Sequence, residues 1–346
     1  MAKSEKILPQ KQYEDVEFLN ELRPPSFDEF VGQEKMKNNI NVSIQSAKKR
    51  NDSLDHVLLT GPPGLGKTTL AYIISHEMDS RIITTSGPIM EKPGDLAGML
   101  TKLQAKDILF IDEIHRIPKV VEEYLYSAME DYKLDIIIDQ GPGARSVTLQ
   151  LEKFTLIGST TRAGLLSAPL LDRFGMRFRL NYYNSAELES IITRSAGILN
   201  IKIDEQGAQV IAKRSRGTPR IANRLLKLCR DLAIVKNKGS ITKQVADECL
   251  DNYDIDHRGL DELDKKILLT IIDTYNGGPV GLNAIAVSVA EEPGTIEEVY
   301  EPFLIQEGFI RRTSRGREAS DLAYEHLGLT RKKGKAKTGE DGGLFG

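Results

Sequence analysis

The chain is 346 residues long, 40% hydrophobic and 28% charged, with a formal net charge of -3. This is globular composition at a length that suits two or three domains. A net charge so near zero excludes a molecule that binds nucleic acid over its whole surface and leaves room only for a local basic patch. The two cysteines, Cys229 and Cys249, form no C-x-x-C pair and no metal-ligand cluster, so both are expected to be reduced, buried thiols. Residues 1–15 carry no apolar stretch of signal-peptide length, and no segment approaches that of a membrane span, so the expected location is the cytoplasm.

After an N-terminal extension over 1–20, residues 21–183 alternate apolar runs with helical patterns. Four buried strands are expected at 56–60, 81–85, 107–111 and 154–158, with helices between most of them, which predicts βαβ units on a parallel sheet. Residues 134–138 and 147–151, joined by 139–146 with its two glycines, read as a β-hairpin inserted before the fourth strand. Ile136, Ile137 and Ile138 make it apolar, which suits either a partner-docking ribbon or packing in the core. Residues 184–254 form a small helical domain: Ser185 is a candidate N-cap with Glu187 in the first turn, a helix follows at 204–214, and Thr218-Pro219 opens another. Over 255–330, helices at 260–275, 282–289 and 295–306 precede a strand, turn and strand at 309–317, the order of a winged helix. The charged, glycine-rich residues 331–346 are expected to be a disordered tail.

The segment Gly61-Pro62-Pro63-Gly64-Leu65-Gly66-Lys67-Thr68 satisfies G-x-x-x-x-G-K-[ST], with a strand ending at Thr60 and a helix beginning near Lys67. Glycines such as Gly64 and Gly66 let backbone N–H groups turn inward around phosphates, and the helix N-terminus adds partial positive charge. Lys67 is expected to reach the β- and γ-phosphates of ATP, Thr68 to ligate Mg2+, and Thr69 to lie beside the phosphates. The bland alternative, a glycine-rich turn with no ligand, does not account for the strand and helix on either side. A second apolar strand ends in Asp112-Glu113, where a carboxylate sits in the crevice at the strand's C-terminal end. Asp112 is expected to hold Mg2+ through water, and Glu113 to orient and polarise the attacking water. Alone, such a pair is usually a solvated strand end; its place downstream of the phosphate loop gives it weight. Near the C-terminus, Arg311, Arg312, Arg315 and Arg317 fall within one short β-wing. Arginine forks suit phosphate oxygens in salt-dependent, sequence-independent contacts, against the plainer reading of a solvated basic turn.

The phosphate loop together with Ile111-Asp112-Glu113-Ile114-His115-Arg116 resembles the AAA-plus ATPases. Further segments narrow the likeness: Leu22-Arg23-Pro24 with Phe30-Val31-Gly32-Gln33, Gly158-Ser159-Thr160-Thr161-Arg162, Asp172-Arg173-Phe174-Gly175, Gly217-Thr218-Pro219-Arg220, and the arginine wing. The set is similar to the RuvB family, motors of Holliday junction branch migration, from about Leu22 to Leu329. That resemblance implies an α/β AAA-plus P-loop domain with an inserted hairpin, a helical lid and a C-terminal winged helix. It places Thr160 at sensor 1 with Thr161 as the neighbouring alternative. Arg173 becomes an arginine finger for the next subunit's γ-phosphate, where the residues alone would equally allow a helix-end pair with Asp172. Arg220 takes sensor 2, Leu22, Arg23 and Tyr183 surround the adenine, and Glu130-Asp131-Tyr132 lies near the nucleotide. Arg312 and Arg317 contact DNA, whereas Pro293 stands where a basic DNA-contacting residue is expected. The implied partners are Holliday junction DNA, a RuvA-type junction-binding protein on the hairpin, a RuvC-type resolvase, and further copies of the chain in a hexameric ring. The rivals are an AAA-plus clamp loader, which would carry a helical C-terminal domain instead of a basic wing, and an ATP-switched DNA-binding regulator without motor activity.

Overall fold

The computed structural model describes residues 18, 20–137, 146–236 and 239–331. Two compact units emerge, one running to Asn252 with His257–Gly259, the other made of Tyr253–Asp256 and the chain from Leu260 on. Among the described residues, no helix is long and apolar enough to cross a membrane.

The first unit begins with α1 (Glu34–Arg50) and continues through β1 (Val57–Thr60), α2 (Lys67–Glu77), β2 (Ile82–Ser86), α3 (Pro93–Leu100), β3 (Ile108–Asp112) and α4 (Lys119–Glu130). The hairpin β4 (Lys133–Ile137) and β5 (Ser146–Gln150) comes next, then β6 (Thr155–Thr160), α5 (Ala168–Asp172) and β7 (Met176–Arg179). Five strands form one parallel sheet in the order β2-β3-β6-β1-β7. The inner strands β1, β3 and β6 are almost wholly buried, as continuous apolar runs require in a parallel sheet. Leu58, Leu109, Ile111, Phe154 and Leu156 from these strands and the segment before β6 pack with Leu96, Leu125 and Leu134 into one core. The register sets Thr60 beside Thr160 and Ile111 beside Gly158, so the strands end together at one edge of the sheet.

One strand escapes the sequence pattern. Met176–Arg179 pairs with β1 at the sheet edge, with Met176 and Phe178 half-buried and Arg177 and Arg179 exposed. An alternating strand with two arginines carries no apolar run to announce it. The inserted hairpin forms with antiparallel pairing, Leu134 opposite Leu149 and Ile136 opposite Val147. Leu134 is buried in the core. The side chains of Ile136 and Ile137, residues 138–145, residues 1–17 and residues 332–346 lie outside the described residues.

The helical lid holds α6 (Ser185–Ile198), β8 (Lys202–Ile203), α7 (Glu205–Lys213), α8 (Pro219–Lys236), β9 (Ser240–Ile241) and α9 (Lys243–Asn252). Its first cap is Asn184 rather than Ser185. The Asn184 side chain accepts from the Glu187 N–H at 2.9 Å while Glu187 accepts from the Asn184 N–H at 2.8 Å, a reciprocal capping box. Asp204 caps α7, accepting from the Gly207 N–H at 2.6 Å. Cys229 on α8 and Cys249 on α9 are free, buried thiols. A hydrogen bond with Cys249 and burial push the Cys229 thiol far up.

In the second unit, α10 (Glu262–Leu269) runs on as a π-helical turn over Thr270–Thr274, and α11 (Leu282–Val289) comes after it. The third helix is α12 (Pro293–Thr295), a π turn Ile296–Tyr300 and α13 (Glu301–Gln306). Pro293 is therefore the first residue of that helix, where its missing N–H costs nothing. The wing is β10 (Ile310–Thr313) with β11 (Gly316–Ala319), and a short α14 (Asp321–His326) closes the unit. Leu268, Ile271, Ile285, Phe303, Leu304 and Phe309 form its core.

His56 ties β1 to its neighbours in one protonation state. The Leu156 N–H donates to Nδ1 at 2.9 Å, so Nε2 carries the proton and donates to the Met129 carbonyl at 3.0 Å. Burial lowers its pKa below the ordinary 6.5, opposed by the Met129 hydrogen bond and Asp55. Below that pH the unfolded chain takes up a proton that the folded one resists, so stability falls as pH drops. Urea unfolding between pH 7 and 5 is expected to show this loss, and a His56→Asn variant is expected to show a shallower slope; equal slopes would contradict the assignment.

Candidate functional site

The loop after β1 is built on backbone that few side chains permit. Gly61, Gly64 and Gly66 adopt φ of 136°, 80° and 99°, and a Cβ on Gly61 would stand 2.6 Å from the Leu180 carbonyl. Gly66 then opens α2 without a side-chain cap, so the first N–H groups of the helix are left for a ligand. Lys67 is buried, its Nζ donating to the carbonyls of Gly61 at 2.8 Å and Pro62 at 2.9 Å. Burial lowers its pKa, and the carboxylates of Glu113 and Asp112 oppose that shift. A buried cation whose hydrogen bonds go to neutral carbonyls gains strongly from an anion offered in their place.

Beside this loop is a cavity of about 390 Å3 whose walls include Leu22, Arg23, Gly64, Gly66, Lys67, Thr68, Thr69, Asp112, Glu113, Tyr183 and Arg220. Residues far apart in sequence thus meet at one cavity. Tyr183 is buried; its hydroxyl donates to the Leu65 carbonyl at 3.2 Å and its N–H to the Gly217 carbonyl at 2.9 Å, which ties the lid to the loop. Burial, helped by Glu187, pushes its phenol far up, so it stays neutral. The Arg220 N–H donates to the Gly64 carbonyl at 3.3 Å. Leu22 is buried with its carbonyl accepting from Arg194 at 2.9 Å, and the Arg23 guanidinium lies 5.1 Å over the Tyr72 ring. The donor set fits the expected ligands: glycine-lined backbone and Lys67 suit phosphates, while the Thr68 hydroxyl and Asp112 carboxylate on one wall suit a hard divalent cation.

At the end of β3, Asp112 Oδ1 accepts from the Glu113 N–H at 3.1 Å and from the Ser159 hydroxyl. Glu113 sits at φ 48°, a left-handed conformation uncommon outside glycine and frequent at functional sites. Its Oε2 accepts from the Thr161 hydroxyl at 3.2 Å and lies 3.2 Å from His115 Nδ1. Thr160 is fully buried, its Oγ1 2.9 Å from His115 Nδ1 and accepting from the Arg162 N–H at 2.9 Å. Of the two expected threonines, Thr161 therefore touches Glu113, whereas the Thr160 hydroxyl is occupied by His115 and Arg162. His115 and Ser159 were not anticipated as site residues. Both stand inside the family's sequence motifs, but only the sheet register shows what they touch.

Arg173 directly follows α5. Its Nη1 donates to the Pro169 carbonyl at 2.8 Å, its Nη2 to Glu130 at 2.6 Å, and the guanidinium lies 4.7 Å over the Tyr126 ring. Its carboxylate partner here is thus Glu130, not Asp172. Of the expected nucleotide-proximal stretch, Glu130, Asp131 and Tyr132 lie outside the lining of this cavity. Glu130 stands beside Arg173, Asp131 ends α4 with its N–H on the Ser127 carbonyl, and Tyr132 packs edge-on against Phe154 at 5.9 Å.

On the wing, Arg311, Arg312 and Arg315 are exposed. Arg317 is not: it is 8% exposed, and Nη2 and Nε donate to the two carboxylate oxygens of buried Glu301 at 2.8 and 3.2 Å. The cause lies in the backbone. β11 pairs with β10 on one side and exchanges two hydrogen bonds between Arg317 and Val280 on the other, so it is the inner strand of the wing. Arg317, expected to contact DNA, is held here in a buried ion pair with Glu301, while Arg312 is exposed, 3.3 Å from Glu297. Breaking a buried pair leaves an uncompensated charge. Arg317→Ala is expected to cost about 3–5 kcal/mol, and Arg312→Ala less than about 1 kcal/mol. Urea unfolding of both variants checks this, and equal losses would contradict it.

Three family models cover nearly the whole chain: a Holliday junction DNA helicase RuvB P-loop domain over 22–180, a RuvB AAA lid domain over 183–256, and a RuvB C-terminal winged helix domain over 257–328. The RuvB subunit of the Holliday junction branch migration complex from Salinibacter ruber is 60% identical over 313 residues, 90% of each chain. Its counterpart from Pediococcus pentosaceus is 59% identical, covering 89% of this chain and 91% of that one. Among solved structures, the Thermotoga maritima RuvB Holliday junction branch migration motor matches with a TM-score of 0.82 and 50% identity, over 90% of this chain and 99% of that one.

Proposed function

The chain belongs to the RuvB family, and we propose on that basis that it is an ATP-hydrolysing motor that drives branch migration of Holliday junctions in DNA recombination and repair. The observation that carries the reading is the convergence of Lys67, Asp112, Glu113 and Arg220 on one cavity in a chain that also ends in a winged helix with exposed arginines. A winged helix at that place disfavours a clamp loader. We assign the large ATPase domain to 21–183, the lid to 184–254 and the winged helix to 255–330, in a cytoplasmic protein.

In this reading Lys67 exchanges the Gly61 and Pro62 carbonyls for the β- and γ-phosphates of ATP. Leu22, Arg23 and Tyr183 enclose the base at the hinge, and Arg220 reports the nucleotide to the lid. Thr68 and Asp112 would hold Mg2+, which would offset phosphate charge. Glu113 orients and polarises the attacking water, with Thr161 and His115 holding its carboxylate in place. Thr160 supports that group through His115. Arg173, with Glu130 beside it, serves the γ-phosphate of a neighbouring copy, which calls for a homohexameric ring. Arg312, with Arg311 and Arg315, grips DNA phosphates; Arg317 joins them only by exchanging Glu301 for a phosphate. The hairpin docks a RuvA-type junction-binding protein, and a RuvC-type resolvase acts on the same junction.

Two measurements test this. Glu113→Gln is expected to bind ATP as the parent does but to hydrolyse it about 100-fold more slowly or worse; turnover within a few-fold of the parent would remove Glu113 from its role. On a synthetic four-way junction, ATP is expected to drive strand exchange, more strongly with a RuvA-type partner present. ATP-dependent DNA binding with no exchange would favour the regulator instead.

A further inference from the structure

Arg173 has to present a flexible side chain to a phosphate outside its own subunit, so something must hold it in place. Its helix, α5, is only five residues long. Tyr126, from the middle of α4, touches both ends of that helix. Its hydroxyl lies 2.8 Å from Ser167 Oγ, the N-cap that accepts from the Leu170 N–H, and its ring lies under the Arg173 guanidinium at the other end. Glu122, one turn before Tyr126 on α4, accepts from the Tyr126 hydroxyl at 2.7 Å and from the Ser167 hydroxyl as well. The ring is thus pinned at its polar edge and offers its face to the cation.

The hydrogen bonds of the guanidinium divide in the same sense. Nη1 is fixed on the Pro169 carbonyl, and Nε is buried without a hydrogen-bond partner. Among the described residues, only Nη2 makes an ion pair, with Glu130, whose side chain is 62% exposed. An exposed carboxylate is a partner that water or phosphate can replace at little cost. The stack on Tyr126 does not depend on that partner. We propose that Tyr126, locked by Glu122 and Ser167, is the positioning residue that aims Arg173 at the neighbouring subunit's nucleotide while Glu130 is exchanged for phosphate.

This rests on the reading that Arg173 acts in trans, and the test separates the two. Full-length Tyr126→Leu, Tyr126→Phe, Arg173→Ala and Lys67→Ala proteins are assayed for ATPase activity alone and in mixed rings, with binding of a fluorescent ATP analogue as the check on each subunit's own site. Tyr126→Leu is expected to lower kcat about tenfold with KM and analogue binding unchanged, while Tyr126→Phe, which keeps the ring but loses the hydroxyl that Glu122 and Ser167 hold, is expected to fall between Tyr126→Leu and the parent. Mixed with Lys67→Ala, which cannot use ATP but carries an intact finger, Tyr126→Leu is expected to regain activity; mixed with Arg173→Ala it is not. Tyr126→Leu at parental kcat would overturn the proposal. So would recovery of Arg173→Ala by Lys67→Ala without recovery of Tyr126→Leu, because Tyr126 would then serve its own subunit's site. If Arg173→Ala itself regains nothing from Lys67→Ala, the trans reading falls and the proposal with it.

Discussion

The parallel register of β3, β6 and β1 governs where the groups of the site stand. Because Ile111 lies beside Gly158 and Thr60 beside Thr160, three strands end side by side and release three loops at one edge of the sheet. The first carries Lys67, the second Asp112 and Glu113, the third Thr160 and Thr161. Gly158 sits where they meet: a Cβ there would press within 3.0 Å of Ile114 and 3.1 Å of Phe174. Ile114 follows Glu113 and Phe174 follows Arg173, so one small residue lets the elements carrying Glu113 and Arg173 pack over the sheet. A slip of any one of these strands by one residue would turn its own side chains to the opposite face.

The charged groups around this frame fall into two kinds, distinguished by burial and partner. Lys67 is held by two backbone carbonyls and Arg173 by an exposed carboxylate, both partners that an incoming phosphate can replace. Arg317 is held by both oxygens of a carboxylate that is itself 2% exposed, and removing either partner strands a charge in the interior. The first arrangement suits a site that must take up and release an anion in each cycle. The second suits a scaffold, here the one that sets the wing on its helices and leaves Arg311, Arg312 and Arg315 outside.

Much of this was legible in the sequence. The phosphate loop, the Asp112-Glu113 pair, the hairpin and the helix order of the winged unit are local patterns, each carried by glycine placement or by apolar periodicity. The parts that were not legible depend on pairing across the chain. The edge strand β7 lacks an apolar run because its arginines face outward. Asn184 takes the cap expected of Ser185 because Glu187 answers it three residues on. The burial of Arg317 comes from a second pairing of β11 with Val280, which nothing in Arg315-Gly316-Arg317 announces. The choice between Thr160 and Thr161, and the entry of His115, come down to which hydroxyl meets the His115 ring and which the Glu113 carboxylate where two adjacent strands end.

In the proposed function, the ATPase site of each subunit is completed by another copy of the chain. The most direct measurement is specific ATPase activity over a range of protein concentration, followed alongside the oligomeric state by sedimentation. A site that needs Arg173 from a neighbour predicts specific activity that rises with assembly and is close to zero in the monomer. Specific activity that stays constant from monomer to ring would contradict a shared site.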